Sequence, residues 1–283
     1  MQFTDEPLDP FGETFFDMTV PTQLSLKTAL VFRMMKELTA RHCLPSASNH
    51  PAELCFEEAL SNAMLHGNKL DPDRKVRVIL CADRERWGAL VEDEGDGFKP
   101  SDIPDPDDLQ SVLRETGRGI RLMDGYLDDL LYNRKGNRLL MIRRRQLEPE
   151  ATGTPTTVPA EQPPVPADAS AEPVSVLRDG DVDILRVNLP RMSDEAVSAL
   201  REATQVATSP RLLLDLARVT FISSVGIGVM VHIYKVVSGR KGRVVLTGLQ
   251  PAVRDTLKAV KVLTIFKVFQ DQDAGLAELR KGG

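Results

Sequence analysis

The sequence predicts two α/β domains joined by a linker, and three observations carry that expectation. The 283-residue chain is longer than one compact core usually fills. Residues 147–173 are rich in Pro, Ala and Thr and contain no aromatic side chain. Such a stretch buries too little apolar surface to offset chain entropy, so it is expected to be disordered. The flanking halves differ in pattern: helical periodicities followed by paired strands come first, and alternating strands and helices come second. The expected division is 15–146, 147–173 and 174–281. A flexible linker of this length reaches roughly 30 Å, enough for the domains to meet in cis.

In the first half, Gln23 to Ala40 places Leu26, Ala29, Leu30, Phe32, Met35 and Leu38 at helical spacing. Pro51 to Gly67 reads as one further helix, with Pro51 in its first turn and Gly67-Asn68 at its end. Val76–Cys81 and Trp87–Glu92 read as adjacent strands around a turn at Arg84-Glu-Arg86. Gly119 to Tyr126 is expected to be helical, and Asp129–Tyr132 and Arg138–Arg143 to be strands. The coarse result is helices on one face of a mixed, mostly antiparallel sheet.

In the second half, Val174–Leu177 and Val182–Leu189 flank a turn at Asp179-Gly-Asp181. Ser193 is expected to cap a helix running to about Ala207. A buried strand at Arg211–Leu216, a helix at Ser224–Ser238 and a strand at Arg243–Thr247 follow. Helices are expected at Pro251–Val260 and Ala274–Arg280.

Composition narrows the function. Hydrophobic residues make up 42% and charged residues 27%, as in a soluble globular protein. A net charge of -5 and a pI of about 5.5 argue against nucleic acid or an anionic membrane as the main partner. Cys43, Cys55 and Cys81 lack CxxC spacing and read as reduced and buried. Residues 1–16 are acidic, with neither the positive start nor the apolar centre of a signal peptide, and no apolar run approaches a membrane span. A cytoplasmic location is expected.

Three segments of the first half are candidates for phosphoryl chemistry. Glu58, Asn62 and His66 recur every four residues, so on a helix they share one face. An amide oxygen suits Mg2+, and a carboxylate one turn away can accept the proton of an attacking hydroxyl. The same spacing also suits an ordinary amphipathic helix with a wet face. Asp93-x-Gly95-x-Gly97 follows a strand; a fixed carboxylate there can accept from an adenine amino group while the glycines let backbone approach closely. Thr116-Gly117-Arg118-Gly119 precedes a helix whose N–H groups can hold phosphate. Each segment alone is weak; the three in order are strong. There is no GxxxxGK[ST] loop and no His-Arg-Asp followed by Asp-Phe-Gly.

With these residues in view, positions of about 15 to 145 resemble the GHKL ATPase superfamily, and within it the anti-sigma-factor serine kinases of bacteria. The resemblance implies a Bergerat-type α/β sandwich that binds ATP with Mg2+. It implies Glu58 as general base, Asn62 as Mg2+ ligand and Asp93 as adenine reader. His66, Gly95, Gly97, Thr116, Gly117, Arg118 and Gly119 would complete the nucleotide site. Lys99 to Thr116 would be a lid. Glu57 adjoins Glu58 but lacks the four-residue spacing to Asn62.

In the second half, Leu213-Leu-Asp-Leu216 and Phe221-Ile-Ser-Ser-Val-Gly-Ile-Gly228 form a strand, a loop and a helix start. Ser223 or Ser224 is the expected cap. Phosphate there would also be favoured by the helix dipole. Residues of about 174 to 281 resemble STAS domains of the anti-sigma-factor antagonist type. By that resemblance Ser224 is the phosphoacceptor candidate, Ser223 stands where relatives carry aspartate, and Gly226 and Gly228 match.

The combined expectation is an ATP-dependent partner-switching regulator, a serine protein kinase acting on a STAS-domain serine in cis or in trans. The alternative is a non-catalytic ATP-binding switch whose STAS domain docks a partner. The resemblance implies a sigma factor or other regulator as output partner and a homodimer as a state known among relatives. It implies neither nucleic acid nor membrane contact.

Overall fold

The computed structural model describes residues 1–44, 50–99, 118–145, 172–192 and 194–281. The chain divides between residues 156 and 157 into two compact units. The expected linker, apart from its last residues, lies outside the described residues. So do the segment assigned as a lid beyond Lys99 and the expected cap Ser193.

The N-terminal unit runs β1 (Gln2–Thr4), β2 (Glu13–Pro21), α1 (Leu24–Ala40), α2 (His50–Ser61), a π-helical turn (Asn62–Gly67), β3 (Lys75–Ala82), β4 (Arg86–Asp93), α3 (Arg118–Tyr126), β5 (Asp129–Asn133) and β6 (Arg138–Arg144). The sheet order is β1-β5-β6-β4-β3-β2, antiparallel except for β1 against β5. Alternation along the strands sorts two cores. Val76, Val78, Leu80, Ala89 and Val91 face the helices, where they meet Met34, Phe56, Leu60 and Met123. Ile79, Leu90, Leu140 and Ile142 face the other way and are covered by Leu8 and Phe11 of the β1–β2 connection. In α1 the buried stripe is Leu30, Val31, Met34 and Leu38. Ala29 and Phe32, which share its apolar periodicity in sequence, are exposed.

Two expectations are corrected here. The sequence places no element before Gln23, yet β1 and β2 form the two edges of the sheet. β1 has three residues and acquires its form by pairing, and a register shift between Thr14 and Phe16 interrupts the alternation of β2. The helix expected to run unbroken to Gly67 turns π-helical at Asn62. There Asn68 N donates to Ala63 O at 2.8 Å, an i→i+5 bond.

The C-terminal unit runs β7 (Val174–Asp179), β8 (Val182–Val187), β9 (Arg191–Met192), α4 (Asp194–Val206), β10 (Arg211–Asp215), β11 (Phe221–Ile222), α5 (Ser224–Gly239), β12 (Arg243–Thr247), α6 (Pro251–Ala259), a 3-10 turn (Val262–Thr264), β13 (Lys267–Phe269) and α7 (Gln272–Arg280). Its main sheet is ordered β13-β12-β10-β8-β7, parallel except for the β7–β8 hairpin. Gly180 closes that hairpin with φ of 62°. The central strands β10 and β12 each bury four of their five residues, around Leu212–Leu214 and Val244–Leu246, as strands covered on both faces must. The short strands β9, β11 and β13, unforeseen in the sequence, have two or three residues each.

Candidate functional site

The N-terminal site begins with two adjacent carboxylates on α2, both 6% exposed. Glu57 turns toward α1, where Lys27 Nζ lies 3.6 Å from its Oε2 and donates to Ser61 Oγ at 3.2 Å. Glu58 turns toward α3: a Cβ placed on Gly119 would overlap its Oε2. Helical geometry forces this split, because neighbouring residues point about 100° apart. The candidate base therefore stands at the first turn of α3, where free N–H groups favour anions. Asn62 is half-buried and His66 exposed, so the stripe fans outward through the π turn.

Asp93 ends β4 and is buried. Its Oδ1 accepts from Gly95 N at 2.8 Å. A Cβ on Gly67 would lie 2.7 Å from Asp93 Oδ2, and one on Gly95 would overlap Gly67 O. Glycine at both positions is what lets the end of the α2 arm touch the Asp93 loop. Gly97 has φ of 76° and lies against Lys135 O, where a Cβ would again overlap. Burial pushes the Asp93 carboxyl up to about 6, against the opposing pull of the Gly95 N–H, Lys135 and Arg74.

Two asparagines hold this corner, and sequence reasoning missed both as site residues. Asn68 is wholly buried; its Nδ2 donates to Thr22 Oγ1 at 2.8 Å and to Lys75 O at 2.9 Å. Its Oδ1 accepts from Glu94 N at 2.9 Å. One side chain thus ties α2 to β2, β3 and the Asp93 loop. Asn137 donates through Nδ2 to Asp93 O at 2.7 Å, and its carbonyl accepts from Asp93 N at 3.0 Å. The only sequence signal was an asparagine directly after the helix-ending Gly67.

Among the expected residues, Glu58 and Gly119 meet, and Gly67, Asp93 and Gly95 meet. Thr116 and Gly117 lie outside the described residues, as does the side chain of Arg118. The oxygen donors present, a carboxylate and an amide on adjoining helical turns, are the type Mg2+ prefers. The glycines at 67, 95, 97 and 119 let the Asp93 loop, the end of the α2 arm and the start of α3 pack closely on their neighbours.

At the C-terminal site Ser223 is the cap of α5. Its Oγ accepts from Gly226 N at 3.2 Å and donates to Met192 O at 3.0 Å. Ser223 is buried, while Ser224 is half-exposed and Val225 is exposed. Gly226 lies against β9, and a Cβ there would overlap Met192 O. The two serines are therefore distinct: Ser223 is buried with its hydroxyl hydrogen directed to Met192 O, and Ser224 is half-exposed.

Residues 20–143 match a family described as the histidine kinase-like ATPase domain, and residues 176–274 match the STAS domain family. The chain thus consists of a histidine kinase-like ATPase domain followed by a STAS domain. More narrowly, BtrV of Bordetella bronchiseptica, which is named as an anti-sigma factor antagonist, is 34% identical over 70 residues, 25% of this chain. That match spans 60% of the relative's length. Among solved structures, an anti-sigma-factor antagonist (STAS) domain protein from Planctomyces limnophilus is 24% identical, with a TM-score of 0.33 over 37% of this chain and 95% of that one. An anti-sigma factor antagonist from Mycobacterium paratuberculosis is 22% identical, with a TM-score of 0.35 over 38% and 93%. Among the described residues, no helix is long and apolar enough to cross a membrane.

Proposed function

We propose that the protein is an ATP-dependent partner-switching regulator whose N-terminal domain is a serine kinase acting on a STAS-domain serine in cis or in trans, with Ser224 as the candidate acceptor in this chain. The observation that carries the reading is the meeting of Glu58 with Gly119. This contact sets a carboxylate beside a helix start, the kind of feature that favours phosphate, and so supports a role for Glu58 as base.

In the proposed step Glu58 takes the proton from the acceptor Oγ. The Oγ bonds to the γ-phosphorus as the bond from that phosphorus to the bridging oxygen breaks, and ADP leaves. Catalysis comes mainly from positioning and charge neutralisation. Asn62 would hold Mg2+ through its amide oxygen, and the ion would neutralise phosphate charge. Asp93 would accept from the adenine amino group, with His66, Gly95, Gly97, Thr116, Gly117 and Arg118 completing the site. A phosphate on Ser224 would add about two negative charges at the start of α5, where the dipole favours them, next to exposed Val225. That change would redirect docking of a protein partner, a sigma factor or another regulator.

One observation favours a second reading, in which ATP sets a docking state without transfer. Ser223 replaces the aspartate of relatives, and its hydroxyl is engaged with Met192 O. Incubating the full chain with Mg2+ and γ-labelled ATP, beside Glu58→Gln, separates the two. Label on the protein that vanishes in the variant supports the kinase. ATP binding without label in either protein supports the docking switch or an acceptor in trans.

A further inference from the structure

Residues 2–12 lie ahead of the 20–143 segment that matches the ATPase family, yet they are built into the sheet as a strap. β1 pairs with β5 and sets Phe3 beside Tyr132 on the helix-facing side. The chain then crosses to the opposite face, where buried Leu8 and half-buried Phe11 pack over Ile79, Leu90, Leu140 and Ile142. Phe11 rests on Gly88 of β4, where a Cβ would lie 2.7 Å from its ring, and the Arg86 guanidinium lies 4.2 Å from the ring centroid. The ion pairs of Asp5 with Arg134 and Asp9 with Arg138 have exposed carboxylates and contribute little. Apolar contacts therefore hold the strap in place.

The two ends of the strap reach different places. Phe11 sits at Gly88, roughly 17 Å along β4 from Asp93. Phe3 reaches the nucleotide corner. Its ring stacks on Tyr132 at 5.4 Å and meets Phe98 edge-on at 5.6 Å, and Phe98 meets Tyr132 edge-on at 4.9 Å. Phe98 directly follows Gly97, so it closes the Asp93-x-Gly95-x-Gly97 loop. Asn137 and Asn68 hold the start of that loop through Asp93 O and Glu94 N. The far end is held at Phe98. Its backbone packs so closely on Gly136 that a Cβ there would overlap Phe98 O, and its ring lies against Phe3 and Tyr132.

We propose that Phe3 is a positioning residue for the nucleotide site: acting through Phe98, it fixes the far end of the Asp93 loop in the conformation that binds nucleotide. The proposal rests on the reading of that loop as part of an ATP site. Phe3 touches neither the nucleotide nor the acceptor serine in this account. Aromatic edge contacts favour one ring geometry, so the Phe3 ring narrows the positions open to Phe98. Without it Phe98 keeps Tyr132 on one side only. Apparent affinity then falls by the fraction of molecules whose loop is still in the binding conformation. The coupling is reciprocal, so bound nucleotide tightens the docking of β1 by the same factor.

The test is calorimetric titration of the full chain with Mg2+ and the non-hydrolysable analogue β,γ-imido-ATP, for the wild type, Phe3→Ala, Phe3→Tyr and Phe11→Ala. Both alanine variants should unfold at lower temperature, since each removes a packed ring from the strap. Only Phe3→Ala should bind the analogue more weakly, by about tenfold. Phe3→Tyr, which keeps the ring, and Phe11→Ala, which lies far from the loop, should stay within about twofold of the wild type. Unchanged affinity in Phe3→Ala, or equal losses in the two alanine variants, would overturn the proposal while leaving the ATP site standing. Should Phe3→Ala fold poorly, amide hydrogen exchange on the wild type decides. Saturating analogue should slow exchange at residues 2–4 by about tenfold and leave Phe11 and Gly12 unchanged. No slowing at residues 2–4 would overturn the proposal independently. Failure of the wild type to bind the analogue at all would remove the nucleotide reading and this proposal with it.

Discussion

At the N-terminal site Glu58, Asp93 and Gly119 come from α2, β4 and α3, and each is held by a neighbour from another element. At the C-terminal site Ser223, Ser224 and Gly226 lie within one helix start, anchored to β9 through Met192 O. The difference separates two ways of building function. The first site is a convergence, so a change at any of several distant positions should disturb it. The second is a local cap on a finished domain, so changes there should act over a short range.

The largest effect expected from this contrast belongs to Glu58→Gln. Phosphoryl transfer should fall by about 10²–10⁴-fold, measured as label transferred per minute, with ATP affinity nearly unchanged. Glu57→Gln is the matched control. It removes the pair with Lys27 but leaves Glu58 at α3, so transfer should stay within about threefold of the wild type. Equal losses in the two variants would break the assignment of the base.

Next comes Gly119→Ala. The added Cβ would overlap Glu58 Oε2 and displace the carboxylate. Transfer should fall by at least about tenfold, although the substitution replaces neither a titratable group nor a metal ligand. Normal transfer in this variant would mean that the contact between α2 and α3 has no part in the chemistry.

A pH effect of about tenfold follows from Asp93. Burial raises its folded-state value to about 6, above the ordinary 3.9 or so of an unfolded aspartate. The folded protein therefore holds this proton more tightly. The resulting contribution to stability is complete below about pH 4 and is lost as pH rises through about 6. Nucleotide binding runs the other way, because only the ionised carboxylate accepts from an amino group. ATP affinity should be about tenfold weaker at pH 5 than on its plateau above pH 7, and Asp93→Asn should flatten the profile. A flat wild-type profile across this range would contradict the role given to Asp93.

The smallest effect is local. Ser223→Ala removes the bond from Gly226 N and the bond to Met192 O, and should destabilise the C-terminal domain by about 1 kcal/mol in denaturant titration. Unfolding of the N-terminal domain should be unaffected. Ser223→Asp keeps an acceptor for Gly226 N but sets a carboxylate against the Met192 carbonyl, so it should not restore the wild-type value.

Legibility followed the range of the signal. Long periodic segments such as α1, and buried apolar strands such as β10 and β12, were readable because their pattern is written in consecutive residues. The strands β1, β9, β11 and β13 were not, since two or three residues carry no period and take their form from a neighbour. The π turn escaped for a related reason: its wider hydrogen bonds depend on how Gly67 meets the Asp93 loop, not on composition. Within the site, the motif residues lie in short consecutive segments, and the four-residue spacing to Asn62 distinguishes Glu58 from Glu57. Asn68 and Asn137 were invisible because their significance lies in partners from distant segments.

The central claim is that one chain carries both the donor site and the accepting serine. Its most direct test is phosphosite mapping by mass spectrometry of the full-length protein after incubation with Mg-ATP, beside Glu58→Gln and Ser224→Ala. The account predicts phosphate on Ser224, none on Ser223, and none at this loop in either variant. ATP bound with Ser224 unmodified, or phosphate on Ser223 in place of Ser224, would contradict it.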